Sequence, residues 1–188
     1  QADNFSWVIA TIVNKAGSSY RSPGAIMLIN SLGQTHGLVS GGCLEANIVL
    51  HAKKVFDNQQ AHYVEYDMCE DDGYAAELGV GCKGKIGVLL QFITAEHQTL
   101  LLSLYQRMKK GQVSYLQQTF SSPEPQSLNE LSLFGCEGEL LITTDKNNTQ
   151  SKNTALSQMI KQGDTHANFL MVRTELSLTK ISAPINLW

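Results

Sequence analysis

The sequence predicts an α/β (or α+β) fold: a mixed β-sheet with helices packed on it and a hairpin near the N-terminus. Three observations carry that expectation. Apolar, β-branched runs of strand length recur, as at residues 7–13 and 86–90. Two stretches space their apolar residues as a helix does, one through Leu44, Ile48, Ala52 and Val55 and one through Leu100, Leu101, Leu104, Tyr105 and Met108. Hairpin-like turns stand beside strand–helix–strand order, which calls for a layered domain.

Taken in order, residues 7–13 read as a buried strand and residues 14–24 as a loop. Strands at 25–29 and 35–39 flank the turn 30–34 and form the expected hairpin. Ser40-Gly41-Gly42 breaks the strand, and the helix with the Leu44 stripe follows, with Glu45 early in it and Asp57-Asn58 ending it. Residues 61–67 alternate as a strand. Residues 68–84 form an acidic, glycine-bearing loop with room for one helical turn, and 85–93 is a strongly apolar strand. Thr94 caps a helix running through Lys110, which Gly111 stops. A strand at 113–120, an exposed loop with two prolines at 121–129, and short strands at 131–134 and 139–143 come next. Residues 145–153 are polar loop, 155–161 a short helix ended by Gly163, and 169–173 and 178–181 the last strands. No internal repeat is visible. The reading is one domain over 1–188, its motif-bearing core at about 7–93 and residues 94–188 completing it.

Composition narrows the function. The chain has 188 residues, 43% of them apolar and 16% charged, with a net charge of −3. An ordinary core with few charges argues against disorder. No Lys/Arg run exceeds a pair, so no nucleic-acid partner is expected. The apolar runs are too short to span a bilayer, and no membrane partner is expected. Cys43, Cys69, Cys82 and Cys136 form no CxxC pattern, so they read as reduced, cytoplasmic thiols rather than a zinc site or disulfides.

Three loops hold the candidate chemistry, all before residue 85. Residues 17–24, with Gly17, Ser18, Ser19, Arg21 and Gly24, make an anion cradle; taken alone, a plain turn is the more economical reading. In Ser40-Gly41-Gly42-Cys43-Leu44-Glu45 the glycines free backbone amides at a helix start, where the helix dipole favours an anion and a thiolate alike. The bland alternative is a small buried cysteine in a tight turn. Residues 79–84 match GxGxxG letter for letter, but they follow an acidic loop and open a strand, which removes the dinucleotide reading. What remains there is a glycine turn, Gly81 to Gly84, presenting Cys82 beside Lys83. Cys69 lies among acids, Cys136 lies in a hairpin turn, and the five histidines are scattered and read as structural or exposed.

In this order the motifs Gly-Ser-Ser-Tyr-Arg-Ser-Pro-Gly-Ala, Ser-Gly-Gly-Cys-Leu-Glu and Gly-x-Gly-Cys-x-Gly resemble the XdhC/CoxI family of xanthine dehydrogenase accessory proteins over about residues 7–92. Lys83 departs from the pattern of many members. Such proteins commonly continue into a Rossmann-like domain. Residues 184–188 resemble its lead-in, so the chain reads as a short member or as a first half.

The resemblance implies a chaperone that binds the molybdenum cofactor (molybdopterin) as cargo. It assists the cofactor's sulfuration with a cysteine desulfurase and its insertion into a xanthine dehydrogenase-type molybdenum hydroxylase. It leaves room for a homodimer. It implies Cys43 and Cys82 as molybdenum ligands or sulfur relays, with the glycine loops around them. The competing readings are a thiol-based sulfurtransferase or oxidoreductase using the same two cysteines, and an interaction module with no ligand.

Overall fold

Trp7–Gly17 is a strand (β1) whose first half is largely β-branched and almost wholly apolar: Val8 to Val13, Thr11 included, are buried on both faces of a sheet. The computed structural model describes residues 5–17, 21–67, 84–146, 150–163, 166–171 and 174–181. The chain divides into two compact units, Gln1–Ile93 and Thr94–Trp188.

In the first unit β1 pairs with β2 (Ile26–Asn30), which turns back into β3 (Thr35–Gly37) as the expected hairpin. Asn30 fixes that turn, its side-chain oxygen accepting the Leu32 and Gln34 amides at 3.1 and 2.9 Å. Helix α1 (Glu45–Asn58) follows and ends at Gln59, in the left-handed region at φ 55°. Strands β4 (His62–Asp67) and β5 (Gly84–Phe92) complete a five-stranded sheet in the order β3-β2-β1-β5-β4. The predicted stripe is the packing face of α1: Leu44, Ile48, Ala52 and Val55 are buried against Val8, Ala10 and Ile12 of β1, Met27 and Ile29 of β2, and Ile86, Val88 and Leu90 of β5. At about 25 cal/mol per Å² of apolar surface, this layer is what holds the unit together.

In the second unit α2 (Ala95–Lys109) opens with a capping box at Thr94, and strand β6 (Ser114–Ser121) follows. After a 3-10 turn at Pro125–Asn129 come β7 (Leu131–Gly135), β8 (Leu140–Thr143), α3 (Gln150–Lys161), β9 (His166–Met171) and β10 (Thr174–Ile181). Their order is β8-β7-β6-β10-β9. Leu100 and Leu104 of α2 pack on Leu116, Leu131 and Leu133, while Leu156 and Ile160 of α3 pack on Tyr115, Phe134 and Leu178. Alternate residues of β6 serve the two clusters, so its polar residues Ser114, Gln117, Gln118 and Thr119 are buried with the apolar ones.

The α/β (or α+β) class stands, with two sheets rather than one. The sheets are not mixed: every pairing among the described residues is antiparallel. The reason lies in the helical connections. Helix α1 carries the chain from edge strand β3 to the opposite edge strand β4, and α3 carries it from β8 to β9. Strands joined by a helix are therefore never neighbours, and no parallel pair forms. The two units also share one plan: three meandering strands, a helix crossing to the far edge, then two more strands. This repeat of topology is the one the sequence did not display.

Several boundaries differ from expectation: β3 stops at Gly37, and β9 and β10 begin at His166 and Thr174 rather than at 169 and 178. β1 continues to Gly17 because Asn14 to Gly17 pair with Gly84 to Gly87 beyond a bulge after Ile12. α3 begins at Gln150, inside a stretch whose polarity suggested loop.

Candidate functional site

Strand direction decides where the glycine loops go. β1 runs toward Gly17, and its partner at that end is Gly84, the first residue of β5. Asp67, the last residue of β4, pairs with Lys85 both in the ladder and through a side-chain ion pair. β3 runs in the same direction as β1 and β4, toward the turn that starts α1. The C-terminal ends of β1, β3 and β4 and the start of β5 therefore all lie at one end of the sheet, with Gly17 and Gly84 paired there and the Ser40–Glu45 turn just beyond β3.

Of the predicted residues, Ser18, Ser19, Gly81, Cys82 and the rest of residues 68–83, including Cys69, lie outside the described residues. In the first loop Arg21 is exposed. Gly24 has φ 89°, and its amide donates to the Ile12 carbonyl at 2.8 Å, so this amide closes the β1–β2 connection. Gly84 is buried at the start of β5.

The Ser40–Glu45 turn is the best defined part. The buried Ser40 hydroxyl accepts from the Gly42 and Leu44 amides at 3.2 and 3.1 Å and donates to the Glu45 carboxylate. Glu45 in turn accepts the Ser40 amide at 2.8 Å. Burial works to raise the Glu45 pKa, but the hydroxyl and amides of this turn outweigh it and hold the carboxyl below its ordinary value. The two side chains close on each other across the turn that leads into α1, ahead of its N-cap Leu44, which has no side-chain cap.

Gly41 and Gly42 are exposed on this frame. Gly42 sits at φ 107°, and a β-carbon there would meet no atom within 4 Å, so the backbone faces open space. Cys43 is a free, half-buried thiol packed beside the core, its Sγ 3.5 Å from the Ser40 hydroxyl. Chemically, the turn offers a soft sulfur donor next to an uncrowded stretch of backbone at a helix start. Cys136, by contrast, is exposed in the β7–β8 turn of the second unit.

One constellation escaped sequence reasoning. His51 on α1 and His62 on β4 bring Nδ1 and Nε2 to 3.1 Å, with ring centroids 5.1 Å apart and planes inclined by 22°. Burial, then His62, then Lys54 lower the His51 pKa; burial, then Lys54, lower that of His62. Tyr66 meets His51 edge-on and donates its hydroxyl to Asn47 at 2.8 Å. The positions 47/51 and 62/66 are one helical turn and two strand pleats apart, a signal visible only once helix and strand are known to face each other.

Comparison with known proteins gives three findings. Residues 1–67 match the XdhC and CoxI family. A stretch of 89 residues is 39% identical to a probable xanthine dehydrogenase subunit from Bacillus subtilis (strain 168), covering 47% of this chain and 27% of that protein. The crystal structure of a xanthine dehydrogenase from Bacillus halodurans superposes with a TM-score of 0.70 at 25% identity, over 97% of this chain and 50% of that one. The chain thus spans about a quarter to a half of the length of these relatives.

Proposed function

The N-terminal part of this chain, residues 1–67, belongs to the XdhC and CoxI family, and from that premise we propose that the chain is an accessory factor for a xanthine dehydrogenase-type molybdenum hydroxylase. Its role is to hold the molybdenum cofactor during sulfuration, with a cysteine desulfurase as sulfur source, and to pass it to the apoenzyme in the cytoplasm. The observation that supports this most is the Ser40–Glu45 turn: a free thiol beside exposed glycines on a self-braced helix start.

The donor set suits such a cargo. When bound, the cofactor supplies a thiophilic metal end and a phosphate end. Thiolates suit the first better than carboxylates do. Backbone at the exposed Gly41 suits the second, the Gly42 and Leu44 amides being already given to Ser40. Ser40 and Glu45 are engaged with each other and with the turn's amides, so they position Cys43 and Gly42. A cofactor reaches much further than one helix start, so the turn holds one of its ends and the segment around Arg21 and Gly24, which follows β1 at the same end of the sheet, is proposed to hold the other. A half-buried thiol whose partner among the described residues, the Ser40 hydroxyl, is a weak one suits a carrier that must release what it binds.

The test is anaerobic titration of the chain with the molybdenum cofactor, followed by molybdenum and pterin analysis of the re-isolated protein. The parent is expected to retain cofactor, Cys43→Ala to retain about tenfold less, and Cys136→Ala to match the parent. A parent that retains none overturns cofactor binding by this chain.

A further inference from the structure

The geometry points to a second site, independent of the cofactor turn: His51 and His62 form a two-imidazole site for a divalent cation of the zinc class. Two nitrogens bound at about 2.0–2.1 Å to one tetrahedral ion stand about 3.3 Å apart, and an octahedral edge brings them slightly closer. The observed 3.1 Å between Nδ1 of His51 and Nε2 of His62 lies in that interval. The rings come from two elements of secondary structure, so their approach is set by α1 lying over the sheet that contains β4 rather than by a loop. The His51 ring has a neighbour of its own. The Tyr66 ring stands perpendicular to it with centroids 6.5 Å apart, and Asn47 accepts from the Tyr66 hydroxyl. Preorganised ligand rings with a hydrogen-bonded supporting layer are what a metal site requires.

Among the described residues no third His, Cys, Asp or Glu joins the pair. Water fills the remaining positions, as at open zinc sites. Both histidines are half-buried, so one side of the site stays open to solvent. The exposed Lys54 ammonium acts on both rings and opposes a cation, which sets the expected affinity in the micromolar range rather than tighter.

The probe is zinc chloride alone, titrated into the full chain by calorimetry at neutral pH. The parent is expected to take up one equivalent that His51→Gln and His62→Gln each weaken at least about tenfold. Lys54→Met, an exposed change that leaves the core intact, is expected to tighten binding severalfold. Zinc is also expected to shift the imidazole NMR signals of His51 and His62 in the parent, a measurement that stands whether or not the glutamine variants fold. Uptake unchanged in both glutamine variants places the ion away from the two imidazoles and overturns the proposal. So does a parent whose His51 and His62 signals ignore zinc, which leaves the two rings as a hydrogen-bonded pair.

Discussion

Ser40 and Glu45 brace each other: the hydroxyl and amide of Ser40 both donate to the Glu45 carboxylate, while the same hydroxyl collects the Gly42 and Leu44 amides. The backbone donors that a helix start leaves open are thereby partly satisfied before any ligand arrives. The glycines between the two residues are held in shape by side chains on either side of them.

Removing the hydroxyl is expected to matter more for the turn than for the sheet. Ser40→Ala should cost about 1–3 kcal/mol in chemical denaturation, the range for polar groups left without their partner. Glu45→Gln adds a pH signature. The folded carboxyl titrates below its ordinary 4.5, so its contribution is complete above that value and is lost as pH falls through the depressed pKa. The melting-temperature gap between parent and Glu45→Gln should therefore close in acid below about 4.5. A gap that stays constant down to pH 3 removes the charge-based brace.

His97 shows how a buried imidazole can be fixed in one tautomer. The Thr94 amide donates to Nδ1 at 3.2 Å, so Nδ1 carries no proton, and Nε2–H donates to the Asn129 carbonyl at 2.7 Å. Burial lowers its pKa against the opposing pull of Asn129 and Glu96. Its neutral form is thus favoured in the folded chain. The stability it contributes is complete above the ordinary value of 6.5 and declines as pH falls from there toward the lowered folded pKa. His97→Ala should cost about 1–3 kcal/mol at pH 7.5, because it leaves the half-buried Thr94 amide and Asn129 carbonyl without their partner. His97→Gln should recover part of that, since glutamine suits the third position of a capping box. The parent's advantage over His97→Gln should shrink between pH 7.5 and 5.5, and an advantage that grows instead contradicts the tautomer.

The legible parts of this fold were the locally encoded ones. The stripe Leu44, Ile48, Ala52, Val55 repeats at helical spacing and is buried where expected. Thr94 and Gly111 announced the ends of α2. What stayed hidden depends on pairing between distant segments. Asn14 to Gly17 look like loop, yet Gly84 to Gly87 hold them in a ladder. His97 replaces the Glu or Gln that a capping box usually shows, so the box was not visible around Thr94. The shared plan of the two units lies in strand order, which side-chain identity does not record. Ser40, Glu45 and Cys43 were noticed for their residue types, but that Ser40 and Glu45 spend their hydrogen bonds on each other follows only from coordinates.

Gly87 and Gly42 are glycines for opposite reasons. A β-carbon at Gly87 would run into the Tyr63 ring from the neighbouring strand, whereas one at Gly42 meets nothing and only the φ of 107° forbids it. Gly87→Ala should cost about 1–3 kcal/mol by overpacking. Tyr63→Ala should relieve part of that cost in the double variant, and it should do nothing for Gly42→Ala. Equal additivity in both pairs, read from urea midpoints, contradicts the steric account of Gly87.

The role proposed for Cys43 separates into softness and hydrogen bonding, and serine distinguishes them. The thiol lies 3.5 Å from the Ser40 hydroxyl and packs beside the core without filling it. Cys43→Ser keeps a donor of similar size at that place and removes the polarizable sulfur. Its melting temperature should stay within a few degrees of the parent, because the site is half-buried and Ser40 can still accept. If sulfur is the donor toward a thiophilic metal, Cys43→Ser should retain as little molybdenum cofactor as Cys43→Ala, about tenfold below the parent. Retention at the parental level by serine but not by alanine assigns position 43 a hydrogen-bonding part in the turn. The soft-donor role would then pass to a cysteine outside the Ser40–Glu45 frame.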